Sequence, residues 1–389
     1  MTAAHRLVPM RPRDPHEPGR TASTLELFFD LVFVVAVSIA AVELHHALSD
    51  AHVAAGLGHY AVVFFAIWWA WMNFTWFATS YATDDWLYRV LTILQMAGVL
   101  VLAAGIEAVF AGERITVVVL GYVVMRVAMV AQWLRAARAD PGNRAACLTY
   151  AGGIAGLQVL WLGLLAVPAP WSTIGLVVLI GGEVAVPVVA ERRGRTPWHP
   201  HHITERYGLF TLILLGESLL ASANAVIGAV HDEQALTPLI SVAVLALVVT
   251  AGLWWIYFWP PHHRAIGSLH ESLRYGYVHY VVFAAAGAFS AGIEVEIDSL
   301  TGESELGEVA ASFTVTVPIA VFVLGIWWIA LRAVGDRVVN TVVPAGALLV
   351  LADPVIPVPV TLTAGIVVAV VVVLVLRQPA GESRRTPAG

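Results

Sequence analysis

The chain has 389 residues, of which 59% are hydrophobic and only 12% charged. Ordinary soluble proteins carry roughly 25% charged residues, so this composition argues against a soluble enzyme, a nucleic-acid binder and a disordered chain together. All basic residues are Arg and the formal net charge is -6, leaving no general affinity for DNA or RNA. The one cysteine, Cys147, excludes an internal disulfide and any CxxC metal or redox motif. What remains is an all-α, polytopic bundle whose first partner is the lipid bilayer.

In chain order, residues 1–20 are polar and rich in Pro and Arg, which reads as a disordered cytoplasmic tail. They form neither an apolar h-region nor a cleavable signal. Apolar runs of about 20 residues, the length that crosses a bilayer core, follow at 24–46, 57–80, 87–110, 115–136, 146–167 and 172–191. Six more stand at 205–229, 237–259, 273–293, 311–333, 338–352 and 358–376. The eleventh is short and bordered by Asp353, Pro354, Pro357 and Pro359, so a half-span or re-entrant segment is an alternative there. Residues 379–389 read as a second disordered tail. No strand alternation of the outer-membrane-barrel kind is present.

Arginines sort by loop. They cluster before the first run, at 135–144, at 192–195, at Arg264 and Arg274, at Arg332 and Arg337, and after the last run, whereas the alternate loops hold only Arg114. The positive-inside rule then places both termini and the long central loop in the cytoplasm.

The two halves resemble each other. Trp68-Trp69 is echoed by Trp254-Trp255, and Ala104-Gly105-Ile106-Glu107 by Ala291-Gly292-Ile293-Glu294, in the same order and at nearly the same offset. This organisation predicts a first six-helix repeat over 21–195 and a second over 196–378, parallel to each other, with a site or path between such halves.

Ionisable residues within apolar runs are costly, about 2.5–3.5 kcal/mol at the bilayer centre, and normally face protein or water. Glu217 lies about 18 Å along its helix, near the midplane. Arg126 and Glu183 sit at similar depth, and Glu183 is flanked by Gly181-Gly182 and Pro187, where a helix could break. These three read either as a buried structural ion pair of Arg126 with one Glu or as a proton or cation relay. Ser23-Thr24-Leu25-Glu26 fits a capping box. Asp30 stands four residues after Glu26, so the two carboxylates share a helix face and require a counterion, a shared proton or a cation. Arg89 and Arg206 are the candidate partners. Glu107 and Glu294 occupy equivalent places near the outer face, and an acidic stretch at 296–308 reads as a solvated loop or a cation-gathering mouth.

Histidines at 45, 46, 52 and 59, and again at 199, 201 and 202, lack HExxH or zinc-finger spacing, so neither metal nor other cofactor is expected. His279 reads as a buried, satisfied side chain. Gly152, Gly153 and Gly156 suit close helix contact. No GxSxG, P-loop or strand-linked GxGxxG accompanies a base, so the chain is not expected to be an enzyme.

Glu26-Leu27-Phe28-Phe29-Asp30-Leu31-Val32-Phe33-Val34 resembles the bacterial low-temperature-requirement A (LtrA) family, as does His202-Ile203-Thr204-Glu205-Arg206-Tyr207-Gly208-Leu209-Phe210 with Leu215-Gly216-Glu217-Ser218. The resemblance covers residues 20–377 and implies a multi-pass plasma-membrane protein; the family name describes a growth phenotype and supplies no reaction. Phe28-Phe29-Asp30-Leu31-Val32-Phe33 is also similar to the first-helix Phe-Ser-Asp motif of the endolysosomal potassium/proton channel family. Here Phe29 replaces the Ser and Leu212 the second-half Asp. Three functions are open: a transporter or channel for an ion or small solute, a non-transporting protein supporting the envelope in the cold, and an intramembrane enzyme acting on lipid, which lacks a recognisable nucleophile. An oligomer is compatible with each.

Overall fold

A computed structural model describes residues 7–231, 236–356 and 361–377. The described residues are helical, with no strand among them. In chain order the helices are α1 (Thr24–Ser49), α2 (Val53–Tyr81), α3 (Trp86–Ala103), the short α4 (Ile106–Phe110), α5 (Thr116–Ala139), α6 (Arg144–Leu164) and α7 (Trp171–Glu191). Then come α8 (Pro200–His231), α9 (Leu236–Phe258), α10 (Leu269–Thr301) and α11 (Glu308–Ile326). A π-helical turn, Trp327–Leu331, joins α11 to α12 (Arg332–Val334), and α13 (Arg337–Val350) and α14 (Thr361–Leu376) close the chain.

Ten of these described helical stretches are long and apolar enough to cross a membrane. α13 and α14, with 14 and 16 residues, are apolar but shorter. The twelve apolar runs therefore all fall on helices, yet the last two lack the length of a full crossing. Residues 358–360 of the final run lie outside the described residues.

Local chemistry sets the helix ends. Asp85 accepts the Tyr88 amide at the start of α3, Ser268 and Glu271 form a capping box on α10, and Asp336 accepts the Val339 amide of α13. Gly302, at φ +80°, ends α10 in the left-handed conformation that glycine adopts without penalty.

The chain divides into two compact units. The first comprises Met1–Ala40 and Val62–Arg206, the second Ala41–Ala61 and Tyr207–Gly389. The end of α1 and the start of α2 thus group with the second unit.

Within the first unit α3 packs on α5, α5 on α6 and α6 on α7. Where lipid replaces water, helices gain by bringing backbones close together. Gly98 and Gly121 show it: a Cβ on Gly121 would lie 2.4 Å from Leu102 N and 2.6 Å from Gly98 O. Of the three glycines expected at a helix contact, Gly153 abuts Val186 of α7, whereas a methyl group added at Gly152 or Gly156 would meet nothing within 4 Å. α7 leaves Trp171, Ile174, Val177 and Val178 more than half exposed, as a lipid-facing helix would.

Within the second unit α10 packs on α11, α9 on α14, and α13 on both α11 and α14. Gly292 presses on α11, where a Cβ would lie 2.2 Å from Thr314 O.

The expected N-terminal tail is corrected over residues 7–20, which are pinned to the first unit. Arg13 N donates to Ser80 O at 2.9 Å, Val8 N to Asp85 Oδ2 at 3.1 Å, and Met10 is 1% exposed. Helix ends leave backbone carbonyls and cap carboxylates without intrahelical partners, and this segment supplies donors to them. Residues 1–6 lie outside the described residues.

Candidate functional site

Two buried networks form in the first unit. The first begins where α1 starts. Ser23 and Glu26 make the capping box reciprocally: Ser23 N and Oγ each donate to Glu26 Oε2 at 2.8 Å, and Glu26 N donates to Ser23 Oγ at 3.3 Å. That leaves Oε1 of Glu26 pointing inward. One turn on, Asp30 meets Arg206 of α8 through a two-pronged contact, Nε to Oδ2 at 2.9 Å and Nη2 to Oδ1 at 2.5 Å. Trp71 of α2 adds an indole N–H to Asp30 Oδ1 at 2.7 Å.

Glu26 Oε1 is held differently. Arg206 Nη1 stands 3.1 Å away, His202 Nε2 3.2 Å and Arg20 Nη2 3.9 Å. All three are ion-pair contacts to this one oxygen. Glu26, Asp30, His202 and Arg206 are all 0–1% exposed. The formal count is two carboxylates against Arg206 and Arg20, with His202 as a fifth group. Arg20 also lines a mixed pocket, with the charged Arg13, Asp84 and Arg89 and the apolar Leu25 and Phe28, that opens to the surface of the unit.

Helical spacing builds this arrangement. Glu26 and Asp30 are separated by four residues on α1, as are His202 and Arg206 on α8, so each pair lies on one face. Of the two expected Asp30 partners it is Arg206 that binds; Arg89 pairs with Asp84 at 2.6 Å and is exposed. His202, Trp71 and Arg20 join this cluster with no expectation from sequence behind them. The matched four-residue spacings are the signal that could have found His202.

The second network centres on Glu183 of α7. Arg126 of α5 donates Nη2 to Oε2 at 2.5 Å and Trp69 of α2 donates to the same oxygen at 3.0 Å. Gln158 and Trp161 of α6 donate to Oε1 at 3.1 and 3.2 Å. Arg126 also lies over the Tyr122 ring, 5.0 Å from its centroid. The expected pairing of Arg126 with one Glu is therefore made with Glu183, and the helix of Glu183 runs unbroken through Pro187. Glu183 accepts four donors, so both of its oxygens are fully engaged. No sequence spacing points to the two indoles or to Gln158.

The remaining candidates lie elsewhere. Glu217, on α8 in the second unit, is half-buried, beside a Ser218 hydroxyl 2.9 Å from that of Thr250. Glu107 is exposed at the start of α4. Glu294 is drawn into a surface cluster of the second unit, where His45 contacts it through Nδ1 at 3.0 Å and Asp298 through Nε2 at 2.6 Å. Ser49 also donates to Asp298, at 2.7 Å.

The buried histidines of the second unit close onto tyrosines. His279 Nδ1 is 2.7 Å from Tyr275 O and its Nε2 3.1 Å from Tyr257 Oη. His262 Nε2 stands 2.6 Å from Tyr257 O, so it carries the proton, and Nδ1 accepts from Tyr275 Oη at 3.1 Å. Burial pushes the His262 imidazole down from its usual 6.5 to about 4. Among the described residues no three His, Cys, Asp or Glu side chains gather as a metal site.

Two comparisons place the chain. It is 30% identical over 263 residues to the uncharacterized protein RA0937 of Rhizobium meliloti (strain 1021), covering 65% of this chain and 62% of that protein's length. The model of the bacterial low temperature requirement A protein family matches residues 21–376. That span contains the helices of both units, the Glu183 network and all of the Glu26 network except Arg20; the chain belongs to the LtrA family.

Proposed function

We propose that this helical membrane protein is a transporter or channel for a proton, another cation or a small solute, and that Glu26 is the group that exchanges its partner during passage. The carrying observation is Glu26 Oε1, fully buried and shared among Arg206, His202 and Arg20 at 3.1–3.9 Å. A buried carboxylate oxygen shared among several nitrogens can exchange one of them for a proton or a cation. The pocket that Arg20 lines supplies an approach from the surface of the unit.

This reading is compatible with twelve segments arranged as two parallel six-helix repeats in a bacterial inner membrane, and the Arg distribution supports cytoplasmic termini. The test is a flux panel in proteoliposomes over protons, potassium, sodium and small solutes. Wild type should carry at least one of them, and Glu217→Gln, or Glu26→Gln in protein that still elutes as the folded species, should reduce that flux tenfold or more. Absence of flux for every species tested would overturn the proposal.

A second reading, a non-transporting protein that supports the envelope, is favoured by Asp30. Its two oxygens accept from both prongs of Arg206 and from Trp71, as in a structural interlock. On that reading Glu26→Gln leaves cold growth unchanged, whereas variants that weaken helix packing abolish it.

A further inference from the structure

The second unit contains another acidic centre, outside both family motifs. Glu296, near the C-terminal end of α10, is 6% exposed, and Asp353, in the turn between α13 and α14, is fully buried. Among the described residues the strongest charge acting on Glu296 is Asp353, followed by Glu308 at the start of α11, and no basic side chain offsets them. Oδ2 of Asp353 is engaged, accepting from the Thr363 amide at 2.9 Å and from the Thr363 hydroxyl. Oδ1 is not. Asp353 Oδ1, Glu296 Oε2 and Ser312 Oγ are each buried without a hydrogen-bond partner among the described residues.

Register brings Ser312 to the same level. Gly292 meets Thr314 and Val315, and residues 302–307 alone separate the end of α10 from the start of α11. The two helices therefore run antiparallel, and Ser312 lies within a turn of Glu296. The turn carrying Asp353 packs on α11 as well. Because α13 runs back along α11, the turn that carries Asp353 stands toward the α11 start, at the level of Glu296 and Ser312. Backbone breaks of this kind line cation sites in transporters.

Unmet buried acceptors and uncompensated carboxylates are both costly, and hard cations relieve both through oxygen ligands. Calcium takes about six to eight oxygens and magnesium demands a near-ideal octahedron; two carboxylates and one hydroxyl suit a monovalent ion better. We infer that Glu296, Asp353 and Ser312 form a binding site for a sodium-sized monovalent cation. The site stands apart from the transport reading, because it is tested by binding and needs no flux.

The experiment is thermal unfolding of the purified full chain in uncharged detergent, with sodium replacing choline at constant ionic strength. Sodium should raise the wild-type midpoint by about 2–4 °C. The rise should shrink by half or more in Ser312→Ala and vanish in Glu296→Gln. Absence of a sodium effect in wild type, as expected if a proton alone bridges the carboxylates, overturns the inference. So does an equal shift in wild type and Ser312→Ala, which would mark a general salt effect; these two proteins decide the matter even if Glu296→Gln does not fold.

Discussion

Arg206 grips Asp30 with two parallel hydrogen bonds, at 2.9 and 2.5 Å, while both side chains are closed off from solvent. This fork-to-fork geometry is specific to a guanidinium and a carboxylate. It fixes the start of α8 against α1 and joins the two sequence stretches that carry the family resemblance. One Asp30 oxygen also accepts from Trp71, so α2 is tied to the same point.

Breaking that contact from one side should be expensive. Asp30→Asn leaves Arg206 buried with only Glu26 nearby, and loss of one partner of a buried pair costs about 3–5 kcal/mol. Thermal unfolding in detergent should show a large drop for Asp30→Asn and another for Arg206→Gln. The double variant should lose less than the two drops combined; additive losses would mean that the residues are not coupled.

Glu183 offers a similar test with an optical signal. Glu183→Gln keeps the shape but weakens four donations, including those of Trp69 and Trp161. The expected result is a loss of about 3–5 kcal/mol with a shifted tryptophan emission maximum. Gln158→Ala removes a single neutral donor and should cost about 0.5–1.5 kcal/mol. Equal losses for the two variants would contradict the central place of the Arg126–Glu183 pair.

Glycine substitutions separate packing from composition. Gly121→Ala forces a methyl to within 2.4 Å of the α3 backbone and should destabilise by about 1–3 kcal/mol, the range for overpacking. Gly152→Ala meets nothing within 4 Å and should be neutral or slightly stabilising, since alanine is the better helix former. Midpoints measured side by side would check the contrast, and a destabilised Gly152→Ala would refute it.

His262 gives a pH dependence with a definite sign. Its imidazole is held neutral, with a pKa near 4 in the folded protein against 6.5 when exposed. Between these values the unfolded chain binds the extra proton, so stability rises with pH. The contribution is complete above pH 6.5 and is lost as pH falls toward 4, by up to about 1.4 kcal/mol per pH unit. Unfolding followed from pH 7 to 4.5 should be steeper for wild type than for His262→Gln; parallel curves would show that His262 does not titrate on unfolding.

The sequence makes the helices legible because apolar length is what a bilayer selects. Each apolar run lies on a helix, and Ser23 and Glu26 cap α1 as their spacing requires. Arg206 is among the expected partners of Asp30, and Glu183 among those of Arg126. The side chains that complete the clusters are less visible. Trp71 and Trp161 look like interface belt residues in a chain with fourteen tryptophans, and only packing reveals that their indoles donate to carboxylates. Asp30 stands out in the sequence more than Glu26 does, because a capping box already accounts for Glu26. One carboxylate has two oxygens, however, and the box uses only Oε2. The Glu296–Asp353 centre is hidden for a similar reason: Glu296 reads as one of many loop acids until α10 is found to continue to Thr301.

The segment that precedes α1 gives the first network an unusual dependence. Arg20 lies 3.9 Å from Glu26 and supplies the second positive charge, yet it belongs to no helix. It is held there by residues 7–20, through contacts such as that of His199 Nε2 with Glu17 O at 3.0 Å. The first helix therefore owes its electrical neutrality to a counterion on a tether. Anything that loosens the tether, whether a truncation, a fused tag or a competing anion at the surface, removes a charge from two buried carboxylates without touching a residue inside the bundle.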